Sequence, residues 1–501
     1  MAVKAGKILA VGDDVARFVG PTTRKIDARG ATILPGLIDS HGHMSSLGDS
    51  LEVLDLRAVR SEQEIAALVR KAALARKAGE WIRGRSWDQN NWPGRQFPTS
   101  AAISAAAPDN PVYLTRVDGH AGWVNHKAME IAGLTAATPD PQGGRLLRDD
   151  LGQPTGVLID RAQELVTRRI PEPSPQQVRE RLRCAALQCA RLGITTVHDA
   201  GVSAVELDQY RALIQDHKLP VRVYAMIGGE GDLWHEYLKR GPEIGERLTV
   251  RSIKLYADGA LGSRGAALKE AYSDDPENTG LLMLHARDIE RVSRDAVAHG
   301  FQVNTHAIGD RANRIVLDGY AAALGGANDH RFRIEHAQVV SLEDIPVFAR
   351  CSIIASMQAT HATSDMPWAA ARLGPERVKG AYAWRRFLSL GVHLANGSDF
   401  PVEDPNPLWG FYAAVTRQDR SGIPADGWFP DQRMTRDEAL RSWTIEGAYA
   451  AFEEKIKGSL EPGKLADFVV LSDDITRIPP ADVLKTHVVV TVVGGEVVYS
   501  P

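Results

Sequence analysis

Fifteen histidines stand in this chain, and the informative ones fall where extended apolar runs end. His41 and His43, in DSHGHM, lie two residues apart, so on an extended backbone both side chains face one side and can bind one metal. Taken alone, such a pair is equally a polar strand end. His306 closes VNTHAIGD, His336 closes RIEHAQ, and Asp399 closes ANGSDFP. A single strand-end histidine is ordinarily a satisfied structural group, but imidazole-bearing strand ends and an acid converging on one axis are not independent. Their joint placement favours a metal centre. Lys254, in SIKLYADG, sits inside an apolar run where a bare ammonium loses its hydration without compensation. Two explanations compete for it: an ion pair with a neighbouring carboxylate, or a depressed-pKa amine that has captured CO2 to form a carbamate able to bridge two cations.

Other residues carry two readings each. His198 ends TTVHDAG and either meets a substrate carbonyl or supports the site from behind; His361, after the seventh run, either stabilises a developing oxyanion or is a solvated loop histidine. Trp87, His120 and Trp123 are bulky amphipathic rings suited to enclosing an apolar substituent, or to packing the core of their own segment. Ser263 and Arg264, in a Gly-rich turn, either bind a substrate acid or shape the loop, and Asp310 with Arg311 reads as a structural ion pair.

The elements that must position these groups follow a β-α rhythm. The runs ATILPGLID, GITTVHD, VRVYAMI, RSIKLYAD, FQVNTHA, RFRIEHA, SIIASMQ and GVHLANGSD are nearly continuously apolar, as parallel strands covered on both faces are, and helical periodicity separates them. Eight such units predict an α/β fold, a closed (β/α)8 TIM barrel whose active site lies at the carboxyl ends of the strands. About 150 residues separate the first two runs, so an insertion over about 47–175 is expected to form a lid over the mouth. Its helix SEQEIAALVRKAALARKAG opens on a Ser61/Glu64 capping box, and the helix SPQQVRERLRCAALQCARLG, with Pro175 in its first turn, returns the chain to the barrel. The segments GRSWDQNNWPG and TRVDGHAGWVN read as loops. Short strands at both ends, KAGKILAVG and then KLADFVVL, HVVVTVV and GEVVYS, are expected to pair into a small composite β-sandwich domain from residues 1–34 and 458–501, flanking a barrel over 35–457.

Composition excludes several classes. Of 501 residues, 44% are hydrophobic and 24% charged, enough for a large core and unlike a disordered chain. A net charge of −4 without long single-sign blocks argues against nucleic acid as a partner. Cys184, Cys189 and Cys351 form no disulfide framework or CxxC pair. No run approaches a membrane span, and Met1–Ala10 lacks a signal-like apolar core, so the expectation is a cytoplasmic protein acting on a small molecule, or a periplasmic or secreted one if a leader has been removed. A homodimer is the expected assembly.

Six ordered segments, ILPGLIDSHGH, IKLYADGALGSRGAAL, THAIGDRA, RIEHAQ, GSDFPV and GSLEPGKLADFVVL, resemble the amidohydrolase superfamily. The resemblance is specifically to the amidohydrolase-3 group that includes YtcJ-like proteins and N-substituted formamide deformylase, and it covers almost the whole chain. Carried onto this sequence, it implies that His41 and His43 bind the more buried of two divalent metals, most often zinc. His306 and His336 bind the second, a carboxylated Lys254 bridges both, and Asp399 touches the first. Relatives normally carry another strand or so before the GKI segment. The resemblance implies hydrolysis of an amide, N-formyl, N-acyl or cyclic-amide C–N bond, with hydroxide available near neutral pH and Asp399 shuttling the proton. A deaminase releasing ammonia from a ring amidine, or a non-catalytic regulatory protein retaining the fold, are the alternatives.

Overall fold

The computed structural model describes the whole chain except Asn90, Asn91, Arg95, Val117, Asp118, His120, Gln142, Gly143, Ser263 and the side chain of Asp160. Its residues fall into two compact units, Met1–Leu47 with Val178–Pro501, and Gly48–Gln177.

The first unit is built on eight parallel strands: β1 (Leu37–Gly42), β2 (Ile194–Val202), β3 (Arg222–Gly228), β4 (Leu248–Tyr256), β5 (Gln302–Ala307), β6 (Arg333–His336), β7 (Ile354–Met357) and β8 (Leu394–Asn396). They neighbour one another in chain order. The ring is nearly closed by a parallel bridge between Gly42 and Phe400. The strand rhythm therefore predicts the architecture correctly, and the strands are buried along almost their full length because helices cover the outside and side chains fill the inside. Helix Ala204–Gln215 begins with a capping box of Ser203 and Glu206, and helix Ala286–His299 ends at Gly300 in the left-handed conformation, so each returns the chain sharply to the next strand.

ATILPGLID is not one strand. Thr32–Pro35 pairs antiparallel with Phe468–Leu471 in a small sheet, whereas Leu37–Gly42 enters the barrel. Gly36 makes the crossing because a Cβ there would meet the Thr195 hydroxyl at 2.2 Å. The small sheet runs in the order Glu496–Tyr499, Val488–Val493, Phe468–Leu471, Thr32–Pro35, and the hairpin Ala2–Lys4/Lys7–Ala10 shares its core through Ile8. A buried ion pair fastens this sheet to the barrel: Arg222, at the start of β3, donates to Asp467 through Nε at 2.8 Å and Nη2 at 3.0 Å.

The second unit holds a six-stranded mixed sheet in the order Leu54–Asp55, Ile82–Trp87, Val112–Arg116, Ala121–Val124, Pro154–Asp160, Gly144–Arg148. Helix Glu62–Leu74, capped by Ser61, contributes Ile65 and Val69 to its core. The two segments read as loops thus contain three strands. Gly84, Arg83 and Arg85 break the β-branched character that marks a strand in sequence, but Gly84 is required where Leu114 and Leu56 approach.

Removing one member of the Arg222–Asp467 pair leaves the other charge buried, so Asp467→Ala is expected to cost about 3–5 kcal/mol. Burial pushes the Asp467 carboxyl up, but the hydrogen bond and charge of Arg222 outweigh it and hold the group below its usual value. This contribution is therefore present above about pH 4 and lost as pH falls through the folded value. Urea unfolding of both proteins at pH 7 checks this; indistinguishable midpoints would show that the pair contributes nothing.

Candidate metal centre

The six predicted ligands meet at the carboxyl rim of the barrel. His41 ends β1 and His43 follows it, with ring centroids 5.4 Å apart. The His41 ring lies 4.9 Å from that of His336, and His336 lies 4.5 Å from His306. Asp399, three residues beyond β8, is fixed by its own backbone N–H, which donates to the His41 carbonyl at 2.7 Å. Its Oδ1 is 3.0 Å from His43 Nε2 and 3.6 Å from His41 Nε2, while Oδ2 faces His361 Nε2 at 3.7 Å. His336 and Asp399 both adopt left-handed backbone conformations, φ 74° and 58°, which turn these strand-end side chains into the cluster. Non-glycine residues hold that geometry only where surrounding contacts impose it.

Outer acceptors decide which ring nitrogen faces inward. His41 donates its Nδ1–H to Glu335, His43 to the Ala200 carbonyl at 2.9 Å, and His336 to Gln358 Oε1 at 2.7 Å. Each ring therefore presents Nε2 to the centre, the arrangement in which an outer acceptor orients a metal-binding histidine. His306 bonds to the backbone at Gly259, and its Nε2, like that of His361, is buried with no hydrogen-bond partner among the described residues. Two sets of donor atoms, His41/His43/Asp399 and His336/His361/Asp399, each lie within 4.8 Å of one another and share the one carboxylate. Imidazole nitrogens with a shared carboxylate, several of them otherwise unsatisfied, fit a divalent first-row cation.

The electrostatics favour neutral imidazoles at His41, His306 and His336. Burial, reinforced by Lys254, lowers His41 to about 4 and His306 to about 3, so both are uncharged at neutral pH. Burial would raise the Asp399 carboxyl, but the hydrogen bond from His43 and the nearby histidines hold it well below the usual range. Lys254 is fully buried, and burial lowers it to about 8 against the opposing pull of Glu335 and Asp399. Its Nζ lies 3.1 Å from His41 Nε2 and 4.7 Å from the Tyr256 ring centroid. Among the described residues no carboxylate lies within ion-pair distance of it, and Glu335 and Asp399 act on it through longer-range charge.

The remaining candidates divide. His361 is not a solvated loop residue: it is buried in helix Ala359–Asp365, stacked on His336 at 5.9 Å. His198 is fully buried, and its Nδ1 accepts from Arg333 Nη1 at 2.9 Å. Trp87 and Trp123 are core residues of the second unit rather than open faces: their rings lie 6.0 Å apart, and their N–H groups are spent on the carbonyls of Leu114 and Thr99. Arg264 is engaged by Asp274 at 3.0 Å, so its guanidinium is committed within its own loop. Asp310 accepts from the Lys269 backbone at 2.8 Å and forms no ion pair with Arg311 among the described residues. His120 and Ser263 lie outside the described residues.

Residues not singled out from sequence support the centre. Asp39 accepts from Ser398 Oγ at 2.6 Å and from the His41 N–H at 3.1 Å; Asp199 accepts from Tyr210 at 2.6 Å and from the Met44 N–H at 2.9 Å. Asp258 receives the N–H groups of Ala267, Ile308 and Gly309 within 3.0 Å. Burial raises Asp39 and Asp258 to about 7. The sequence signal for the groups behind the rim was Arg333 and Glu335, charged residues alternating with Phe332 and Ile334 in a strand run.

The family model described as the amidohydrolase family matches residues 24–499. The chain belongs to that family. Among curated relatives it is 38% identical, over 100% of this chain and 88% of the other, to Protein LONG AFTER FAR-RED 3 of Arabidopsis thaliana. It is 27% identical, over 99% and 94%, to N-substituted formamide deformylase of Arthrobacter pascens. Among solved structures, an uncharacterized metal-dependent hydrolase from Pyrococcus horikoshii superposes with a TM-score of 0.80 at 27% identity, covering 95% of this chain and 94% of that one. This membership bears out the family expected from the six segments.

The hydrogen bond and charge of Asp399 outweigh burial and raise His43, so a cation entering beside its Nε2 competes with a proton. Cation affinity is expected to fall between pH 8 and pH 6, with proton release on loading. Calorimetric titration with Co2+ in buffers of different ionisation enthalpy measures both; affinity independent of pH would contradict the assignment of His43.

Proposed function

We propose that this amidohydrolase-family chain is a metal-dependent hydrolase that cleaves the C–N bond of a small amide, N-formyl, N-acyl or cyclic-amide substrate. The observation carrying this reading is the Asp399 carboxylate, one oxygen toward His41 and His43 and the other toward His361. In this reading His41, His43 and Asp399 would hold one divalent cation and His306 and His336 a second, with a carboxylated Lys254 as a further anionic donor. Zinc is the cation that best suits these donors. When bound, such cations lower the pKa of water toward neutrality and polarise a carbonyl.

The chain's own residues supply the remainder. An amine lowered to about 8 is neutral often enough near physiological pH to attack CO2; the N–C bond forms, a proton leaves, and the product is an anion in place of a buried cation. Asp399, ionised at neutral pH, accepts the proton of the attacking water as the new C–O bond forms. It then returns that proton to the departing nitrogen as the C–N bond breaks. In this reading His361, buried 3.7 Å from Asp399 and with no hydrogen-bond partner for Nε2 among the described residues, donates to the developing oxyanion. The Arthrobacter relative's name favours N-formyl compounds as the first substrates to try. We also propose a homodimer in the cytoplasm; no helix among the described residues is long and apolar enough to cross a membrane.

Protein loaded with Zn2+ or Co2+ is expected to hydrolyse at least one member of a panel of N-formyl, N-acetyl and cyclic amides to a carboxylate and an amine. Chelation is expected to abolish turnover. Release of ammonia from ring amidines would identify a deaminase instead, and no turnover across both panels by metal-loaded protein would favour the non-catalytic alternative. Asp399→Asn is expected to lower kcat by about 10²–10⁴-fold; full turnover with metal retained would refute the proton shuttle. Incubation with 13C-bicarbonate is expected to give a carbamate carbon resonance that Lys254→Ala lacks, and its absence in the parent would refute carboxylation.

A further inference from the structure

Beneath the cluster, Arg333 and Glu335 form an ion pair with both side chains fully buried, Nε to Oε1 at 2.7 Å and Nη2 to Oε2 at 3.0 Å. Arg333 also donates to Ser356 Oγ at 2.8 Å and to the Ser40 carbonyl, so it is held from β1, β6 and β7 at once. Each member of the pair also meets a histidine. Glu335 Oε2 touches His41 Nδ1, and Arg333 Nη1 touches His198 Nδ1 at 2.9 Å. A carboxylate only accepts at this position and a guanidinium only donates. His41 Nδ1 must therefore carry a hydrogen and leave Nε2 bare, whereas His198 Nδ1 must be bare and leave the hydrogen on Nε2. That His198 Nε2 is buried with no hydrogen-bond partner among the described residues.

We propose that the Arg333–Glu335 pair fixes the histidines on its two sides in opposite tautomers, making Glu335 a positioning residue that presents His41 Nε2 to a cation and making His198 an Nε2–H donor that ligates none. The proposal rests, for the cation, on the metal-dependent reading above. It explains how two fully buried imidazoles on adjacent strands acquire different chemistry: the polarity of one ion pair, not exposure, separates them. It also gives a strand position that reads as core, Glu335, a direct connection to the first motif of the chain, 294 residues away. An outer carboxylate on a ligating histidine is worth about 10–100-fold in metal affinity.

The test has two arms. In metal-free parent protein labelled with 15N-histidine, two-bond 1H–15N correlation spectra distinguish the tautomers, with signals assigned by their loss in His41→Gln and His198→Gln. The expected result is Nδ1–H for His41 and Nε2–H for His198; the same tautomer for both overturns the proposal. In the second arm, Co2+ binding is compared between the parent and the double variant R333M/E335M, which removes both charges together and leaves neither buried alone. Affinity about 10–100-fold weaker, with an altered Co2+ absorption spectrum, is expected; unchanged affinity and spectrum in the folded double variant overturns it. Should the parent bind no Co2+, the metal-dependent reading fails, and the tautomer arm still decides whether the ion pair orders the two histidines.

Discussion

An imidazole buried without a partner and a carboxylate buried without a counter-charge both lose hydration that the protein interior does not replace. At the rim of this barrel several such groups are packed together. His41, His306 and His336 have protonation disfavoured by burial, and Asp399 is kept ionised among them. Hydrogen bonds within the protein are directed to the outer nitrogens of His41 and His336, leaving their Nε2 lone pairs facing inward, while His43 Nε2 meets the Asp399 carboxylate. In the reading proposed above, divalent cations would satisfy these groups; the crowding of acceptor atoms at one rim is the constraint around which the strand ends are organised.

The barrel meets that constraint by topology. Candidate ligands separated by more than 350 positions in the chain become neighbours because β1 and β8 close the ring, and the closure contact is itself part of the cluster: the Asp399 N–H reaches the His41 carbonyl. Left-handed backbone at His336 and Asp399 then turns side chains that would otherwise follow their strands. Buried carboxylates behind the rim, Asp39, Asp199 and Asp258, collect backbone N–H groups at His41, Met44 and Ile308, so the backbone that carries or adjoins His41, His43 and His306 is held from one layer away.

Much of this was legible in the sequence, for physical reasons that differ from element to element. Parallel strands covered on both faces are uniformly apolar, so all eight barrel strands announced themselves, and polar residues at their ends marked the rim. His41, His43, His306, His336 and Asp399 stand out at those ends and Lys254 as a lone cation inside an apolar run, and the fold brings the six near one another. The supporting groups do not stand out, because a carboxylate that accepts backbone N–H groups looks like any turn residue until the loops are seen together. Glu335 reads as part of the polar strand end that His336 marks, although an acid inside a buried strand is itself a signal. The change of sheet at Gly36 was hidden because the apolar run continues across it. In the insertion, strands carrying Gly84 and two arginines lack β-branched character, and the tryptophans between them could be read as lining an opening when they fill a core.

Anomalous diffraction at the zinc edge from crystals of zinc-loaded protein tests the central claim most directly. The expected map has a peak bounded by His41 Nε2, His43 Nε2 and the Asp399 carboxylate, with a second beside His336 Nε2. Zinc located away from these nitrogens, or bound through the Nδ1 atoms that here face Glu335, Ala200 and Gln358, would contradict it.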